Sequence, residues 1–61
     1  MKIKILQQIP VQEQFRPTVG KSYEVVEYNF EKGLAFIDVN GTKVGIFTDR
    51  RRGECEVVEY D

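Results

Sequence analysis

The dipeptide Asn40-Gly41 constrains the fold most strongly, because it lies between two runs of β-forming residues, LAFIDV and TKVGIF. Asparagine and glycine tolerate the positive φ angles that a two-residue type I′ hairpin turn requires. The turn predicts a register that runs from Val39 opposite Thr42 to Leu34 opposite Phe47. One face of this hairpin is then a core face, with the cross-strand pairs Val39/Thr42, Ile37/Val44 and Ala35/Ile46.

The other face of the hairpin begins with a predicted Asp38–Lys43 ion pair at the tip and continues with large apolar side chains. Phe36 lies opposite Gly45, an arrangement in which an aromatic ring covers a cross-strand glycine. Three large apolar residues on an outer face need cover, and either a loop or a binding partner would supply it. They are Leu34, Phe36 and Phe47, and the candidate lids from the loop are Ile9 and Phe15.

The rest of the chain alternates short β runs with turn signals, which is typical of an all-β domain. Pro10 and Pro17 lie in a long polar stretch and cannot donate ladder hydrogen bonds there, so we predict a loop. The predicted strands are Lys2–Leu6, Ser22–Tyr28 and Cys55–Tyr60, the loop is Gln7–Lys21 anchored by Ile9, Val11 and Phe15, Gly33 is the left-handed residue of a turn, and Thr48–Glu54 forms one 3₁₀ turn.

The pentapeptide EVVEY occurs at residues 24–28 and again at residues 56–60. The flanking residues do not align, so a duplication is unsupported. Two strands in similar environments explain the repeat better. We expect Tyr23, Val25, Cys55 and Val57 to face the core, and Val26, Tyr28, Val58 and Tyr60 to face the other side.

A chain of 61 residues predicts one domain, residues 1–61, with a small core. Such a core supplies about 3–5 kcal/mol of net stability. A single cysteine excludes an intrachain disulfide and favours a reducing compartment. Self-association as a homodimer is therefore the remaining stabiliser that we consider. No apolar run reaches membrane-spanning length and no signal peptide is evident, so we expect a cytoplasmic protein.

The residues give little support to catalysis or to a cofactor. The chain has no histidine, which removes imidazole bases and the commonest nucleophile–base pairs. Cys55 lies between Glu54 and Glu56, and neighbouring carboxylates raise a thiol pKa, so we expect a buried structural cysteine. The segment Gly20-Lys21-Ser22 lacks the rest of a phosphate-binding loop. We predict a protein that is not an enzyme, with no metal and no cofactor.

The order of elements resembles the SH3-like barrels: five strands, a long first loop, a short distal hairpin and a 3₁₀ turn before the last strand. The resemblance implies that the first and last strands pair antiparallel. Lys2 and Lys4 would then lie near Glu54 and Glu56. The chain has no tryptophan and no ALYDY-type segment, so recognition of PxxP peptides is not implied. The wording VGKSYEVVEY…ECEVVEYD also resembles small proteins of Gram-positive phages and prophages.

Three features remain as candidates for partner binding. The consecutive residues Arg50, Arg51 and Arg52 can clamp carboxylates or phosphates. Tyrosines offer amphipathic contact area of the kind found at interfaces. The third feature is the apolar outer face of the hairpin. The candidate residues are Arg50, Arg51, Arg52, Tyr28, Tyr60, Phe36 and Phe47, with Tyr23 and Phe30 beside the tyrosines.

These features predict a non-catalytic protein-interaction module, and the phage resemblance implies an inhibitor of a host defence protein. Two alternatives remain. One is a nucleic-acid-binding domain that uses Arg50–Arg52 with nearby aromatic residues, although formal net charge is only −1 and the lysines are scattered. The other is a small-molecule sponge built at a dimer interface.

Overall fold

Two three-stranded antiparallel sheets form the protein. The structure is a computed structural model, and it describes residues 1–60. The first sheet has the order β2-β1-β6 and the second has the order β3-β4-β5. The predicted all-β class is confirmed. The strands are β1 (Lys2–Ile5), β2 (Ser22–Glu24), β3 (Glu27–Asn29), β4 (Leu34–Val39), β5 (Thr42–Phe47) and β6 (Cys55–Glu59).

The single strand predicted at Ser22–Tyr28 is wrong, because the chain breaks at Val25 and Val26 into β2 and β3. The N–H of Val25 donates to the carbonyl of Met1 in the first sheet, at 2.9 Å, whereas the N–H of Val26 donates to Phe36 in the second, at 2.8 Å. Two successive residues thus belong to different sheets. Within residues 1–60 the strands therefore number six instead of five, and β5 and β6 do not pair to close a barrel.

The hairpin formed by β4 and β5 has the predicted register along its whole length, from Val39/Thr42 to Leu34/Phe47. Asn40 and Gly41 have φ angles of +53° and +82°, as a type I′ turn requires. The predicted Asp38–Lys43 ion pair is wrong. The Asp38 carboxylate accepts the Gly41 N–H at 2.9 Å instead. Lys43 reaches across β4 to the Glu27 carboxylate on β3, at 2.8 Å.

The core lies between the two sheets. Alternation along β1 buries Ile3 and Ile5 and leaves Lys4 exposed. The predicted core face of the hairpin is confirmed, since Ala35 and Ile37 are completely buried. As expected, Tyr23, Val25, Cys55 and Val57 contact the core, and Val26, Val58 and Tyr60 are exposed. The predicted facing of Tyr28 is wrong, because Tyr28 pairs with the buried Ala35 and so lies on the core face of the second sheet, at its exposed rim. The buried residues are Ile3, Ile5, Ile9, Ala35, Ile37, Val44, Ile46 and Cys55.

The long loop between β1 and β2 is anchored by the three predicted residues, because Ile9 is buried and Val11 and Phe15 pack against the core. The predicted lids are wrong: Ile9 belongs to the buried core and Phe15 packs against it, and this cluster contains none of the outer-face residues Leu34, Phe36 and Phe47. A 3₁₀ helix spans Glu13–Phe15 in this loop. Asn40 ties the helix to the hairpin tip, donating to the carbonyl of Gln14 at 2.6 Å.

The first and last strands pair antiparallel, as predicted. Lys4 lies opposite Glu56, and Lys2 lies opposite Glu59 with a separation of 4.0 Å between the charged atoms. The predicted proximity of Glu54 to the lysines is wrong, because its carboxylate contacts other groups that are described below. The ladder contains a β-bulge between Lys2 and Ile3.

Candidate functional site

The segment 48–53, which carries the three arginines, forms a single i→i+3 turn of the 3₁₀ type, as predicted. The N–H of Arg52 donates to the carbonyl of Asp49 at 3.0 Å. The Asp49 carboxylate caps the turn by accepting the Arg51 N–H at 3.0 Å, and it also contacts the Arg51 guanidinium. These hydrogen bonds lower the pKa of Asp49. Gly53 ends the turn with a φ of +69°.

Glu54 attaches this turn to the end of β5. One carboxylate oxygen accepts the N–H of Phe47 at 3.1 Å, and the other accepts from Arg52 at 3.4 Å. The Arg52 guanidinium carbon lies 4.0 Å from the centroid of the Phe47 ring, a cation–π contact. Two of the predicted site residues, Arg52 and Phe47, therefore contact each other and stabilise the fold.

The three arginines do not converge on one point. Arg51 contacts Asp49, and Arg52 contacts both Glu54 and Phe47. Arg50 makes no ion pair or hydrogen bond with any other residue of 1–60. Each guanidinium therefore has a different environment, and the three arginines do not form the predicted clamp. Only Arg50 has a guanidinium without a partner among residues 1–60.

Arg50 lines a cleft of about 390 Å³ that runs beside β6, and we call it the β6 cleft. The cleft contacts Val57, which packs against the core, and Glu56, which lies on the outer face of the first sheet. A cavity that touches both faces of a strand lies along the edge of that strand. Its other lining residues are Leu6, Thr48, Gly53, Cys55 and Tyr60.

The β6 cleft exists because β5 and β6 separate beyond the contact between Phe47 and Cys55. At one end, the Cys55 thiol donates to the carbonyl of Phe47 at 3.4 Å, which holds the two strands together. Beyond that point β5 pairs only with β4, and β6 pairs only with β1. The cleft is thus the place where the two sheets would have to join to form a closed barrel.

Exposed aromatic side chains extend the cleft on one side. The Tyr28 hydroxyl is 3.4 Å from the hydroxyl of Thr48, a cleft residue. Tyr28 lies opposite the small residue Ala35 on β4, so its side chain reaches past β4 toward the cleft. Phe30 packs edge-on against Tyr28, with ring centroids 6.0 Å apart. Phe30 is 85% exposed and Tyr60 is 71% exposed. Aromatic side chains this open have most of their apolar surface in water.

The predicted site residues therefore fall into two groups. Arg50 and Tyr60 line the β6 cleft, and Tyr28 borders it. Phe36 and Phe47 lie on the outer face of the second sheet, where both are half-buried. Phe36 covers Gly45 so closely that a Cβ there would lie 3.0 Å from the ring. The Arg52 guanidinium lies over the Phe47 ring, so this second group is mainly structural.

Cys55 is 3% exposed and belongs to the core, as predicted. Burial, and secondarily the Glu54 carboxylate, raise the pKa of its thiol to about 11. A thiol in this state is a poor nucleophile at neutral pH. Within residues 1–60 no three His, Cys, Asp or Glu side chains are placed to hold a metal ion. In the same residues no helix is long and apolar enough to cross a membrane.

Sequence reasoning missed Leu6 and Thr48 as cleft residues. The signal for Leu6 was available, because the alternation that buries Ile3 and Ile5 places the next residue on the outer face. No comparable signal marks Thr48, whose position depends on how far β5 and β6 separate. No protein-family profile, curated protein or solved structure matches the chain.

Proposed function

We propose that the protein is a non-catalytic protein-interaction module that binds its partner at the β6 cleft and at the adjoining aromatic side chains Tyr28, Phe30 and Tyr60. The observation that carries this proposal is the exposure of Phe30 and Tyr60 beside a cleft that Arg50 lines. In a domain with so small a core, burying these aromatic side chains within the fold would add to its stability, yet they remain in water. Binding a partner buries them.

The residue types around the cleft support a protein as the ligand. Tyrosine and arginine are enriched among the residues that dominate binding energy at protein interfaces. Leu6 and Val57 supply apolar surface to the cleft, and Arg50 and Glu56 supply charges of opposite sign. A mixture of aromatic, apolar and oppositely charged groups is typical of a protein interface.

A nucleic-acid partner is less well supported. Single-stranded nucleic acid is bound by basic grooves with stacking platforms, and the affinity falls steeply with salt. Here Arg51 pairs with Asp49 and Arg52 pairs with Glu54, so the turn does not offer a basic groove of several unpaired arginines. The small-molecule sponge has one favourable observation, a cleft volume of about 390 Å³, which lies within the range of ligand pockets.

The biological setting of the proposal rests on the sequence resemblance to phage proteins. In that setting the module is an SH3-like fold opened between β5 and β6, it acts in the host cytoplasm, and its partner is a host defence protein that it inhibits by occupancy. The bent passage from β2 to β3 and the pairing of β1 with β6 support the SH3-like architecture. Homodimerisation is a further part of the proposal, tested by light scattering across concentration.

The function is tested by affinity capture from host lysate with matched variants. The parent is compared with a Phe30→Ser/Tyr60→Ser double variant and with Val19→Ser, because Val19 is 52% exposed but lies in the long loop. We expect one protein to be captured by the parent and by Val19→Ser, and lost with the double variant. Equal capture by all three, or capture of nucleic acid that is lost in high salt, contradicts the proposal.

A further inference from the structure

The hydrogen-bonding groups of β6 divide cleanly between its two sides. The N–H of Leu6 donates to the carbonyl of Glu54 at 3.0 Å, which directs Glu54 toward β1. In an antiparallel ladder alternate residues face the same neighbour, so Glu56 also faces β1, whereas Cys55 and Val57 face away. Among the described residues no strand pairs with β6 on that side.

This free edge is accessible at Val57 and closed at Cys55. Cys55 is 3% exposed and is fastened to Phe47 through its thiol. Val57 is only half-buried, and the β6 cleft runs along the edge beside it. An unpaired strand edge with an open groove beside it is a template for another extended chain.

The outer face of the first sheet carries charges that alternate from strand to strand. One row reads Glu24 on β2, Lys2 on β1 and Glu59 on β6. The next row reads Ser22, Lys4 and Glu56. Opposite charges on adjacent strands stabilise a sheet, and like charges destabilise it. A further strand beside β6 is therefore favoured if it carries cationic side chains on this face.

We propose that the β6 cleft binds an extended segment of the partner protein as a fourth strand of the first sheet, paired with β6 at Val57. This inference rests on the proposed function and specifies the partner's chemistry. The segment alternates cationic and apolar side chains, as β1 does on the other side of β6. Its cationic residues lie near Glu56 and Glu59 on the outer face, and its apolar residues lie on the other face, near Val57 and Tyr60.

A second copy of this chain fits the edge less well. Pairing β6 with β6 would bring Glu56 and Glu59 of both copies onto one face, with no lysine between them. The same charges that favour a basic strand therefore disfavour the self-pairing.

The test uses amide hydrogen exchange followed by NMR, with a capped hexapeptide of alternating lysine and valine as the probe. In the free protein we expect the Val57 amide to exchange faster than the Glu56 amide, which is bonded to β1. Saturating probe should slow exchange at Val57 by at least about tenfold. The matched control is a capped hexapeptide of alternating glutamate and valine, which we expect to bind several-fold more weakly.

Two variants test the charge argument. Glu56→Gln removes a carboxylate beside the free edge, and we expect it to weaken binding of the lysine peptide by up to about fivefold. Glu24→Gln removes one on β2, at the far side of the same sheet, and should leave the affinity unchanged. Overall loss of folding is detected for both variants by their circular dichroism spectra.

Three results overturn the proposal: no added protection at Val57, equal binding of the lysine and glutamate peptides, or protection of Val57 in the free protein that increases with protein concentration. The last result would assign the edge to a second copy of the chain. The proposed function is tested separately by the capture experiment. Capture that depends on Phe30 and Tyr60, with no strand pairing at Val57, leaves the interaction module in place and rejects the docking mode.

Discussion

Gly41→Ala tests the physical origin of the hairpin register. Gly41 has a φ of +82°, and a Cβ added there would meet no atom within 4 Å. The cost of the substitution is therefore backbone strain alone, since neither packing nor a side-chain hydrogen bond is lost. For an L-residue in the left-handed region that cost is about 1–2 kcal/mol. This is a large share of the total stability of about 3–5 kcal/mol expected for so small a core.

The assay is thermal and urea unfolding followed by circular dichroism. A loss of 1 kcal/mol in a domain of this size lowers Tm by about 4–8 °C, so we expect a decrease of about 4–16 °C for Gly41→Ala. Gly41→Asn is the matched control, because asparagine tolerates positive φ. Its Tm should fall by no more than about half as much. Equal melting of the two variants, or no change for Gly41→Ala, would refute the reasoning from turn geometry.

Three further predictions concern the core and the turn before β6. At pH 8 Cys55 should be alkylated about 100-fold more slowly in the folded than in the unfolded protein, because the pKa near 11 depletes the thiolate. The contribution of this raised pKa to the free energy of unfolding is fully present below pH 9.0 and is lost as the pH rises through about 11. Glu54→Gln should destabilise by about 0.5–1.5 kcal/mol in urea unfolding, since one hydrogen-bonded carboxylate serves both Phe47 and Arg52. Ile37→Ala should cost about 2–5 kcal/mol and leave the chain largely unfolded at 37 °C by circular dichroism.

Each of these predictions has a control within the chain. Glu59→Gln removes an exposed carboxylate 4.0 Å from Lys2 and should change stability by no more than about 1 kcal/mol. Val19→Ala, in the long loop, should stay within about 0.5 kcal/mol of the parent. Rapid alkylation of Cys55 in the folded state, or a Glu54→Gln variant as stable as Glu59→Gln, contradicts the corresponding contacts.

The hairpin was predictable because its register depends on local rules alone. A two-residue turn leaves no freedom in the pairing that follows, and alternation then decides which side chains are buried. The pairing of β1 with β6 was expected from the resemblance to the SH3-like layout, and the lysines of β1 opposite the glutamates of β6 agree with it. Only for the hairpin does the deciding information lie within a few residues of the strands concerned.

The break at Val25–Val26 was not predictable in the same way. Nothing in the run SYEVVEY marks a change of sheet, because β-branched residues suit both halves. At the break, the N–H groups of Val25 and Val26 donate to Met1 and Phe36, two acceptors that are distant from each other in sequence. The predicted Asp38–Lys43 ion pair was wrong for a similar reason. The Asp38 carboxylate accepts the Gly41 N–H in the turn, and Lys43 pairs with Glu27, which is distant in sequence.

The candidate site was predicted as a set of residue types and not as a place. Arg50, Tyr28 and Tyr60 lie together because β5 and β6 diverge, which no local pattern indicates. Arg52 and Phe47 were each predicted to contact a partner, but they form a cation–π contact with each other. A consecutive arginine run therefore gave too large a basic patch, since alternate side chains in a turn point in different directions.

The most direct test of the partner surface is site-specific photo-crosslinking in the host cell. A photoreactive phenylalanine analogue is placed at Phe30 or at Tyr60, and at the control positions Val19 and Glu24, which are exposed but distant from the β6 cleft. The account predicts one covalent adduct of the same partner from positions 30 and 60 and none from positions 19 and 24. Adducts from the control positions with none from positions 30 and 60 would contradict it.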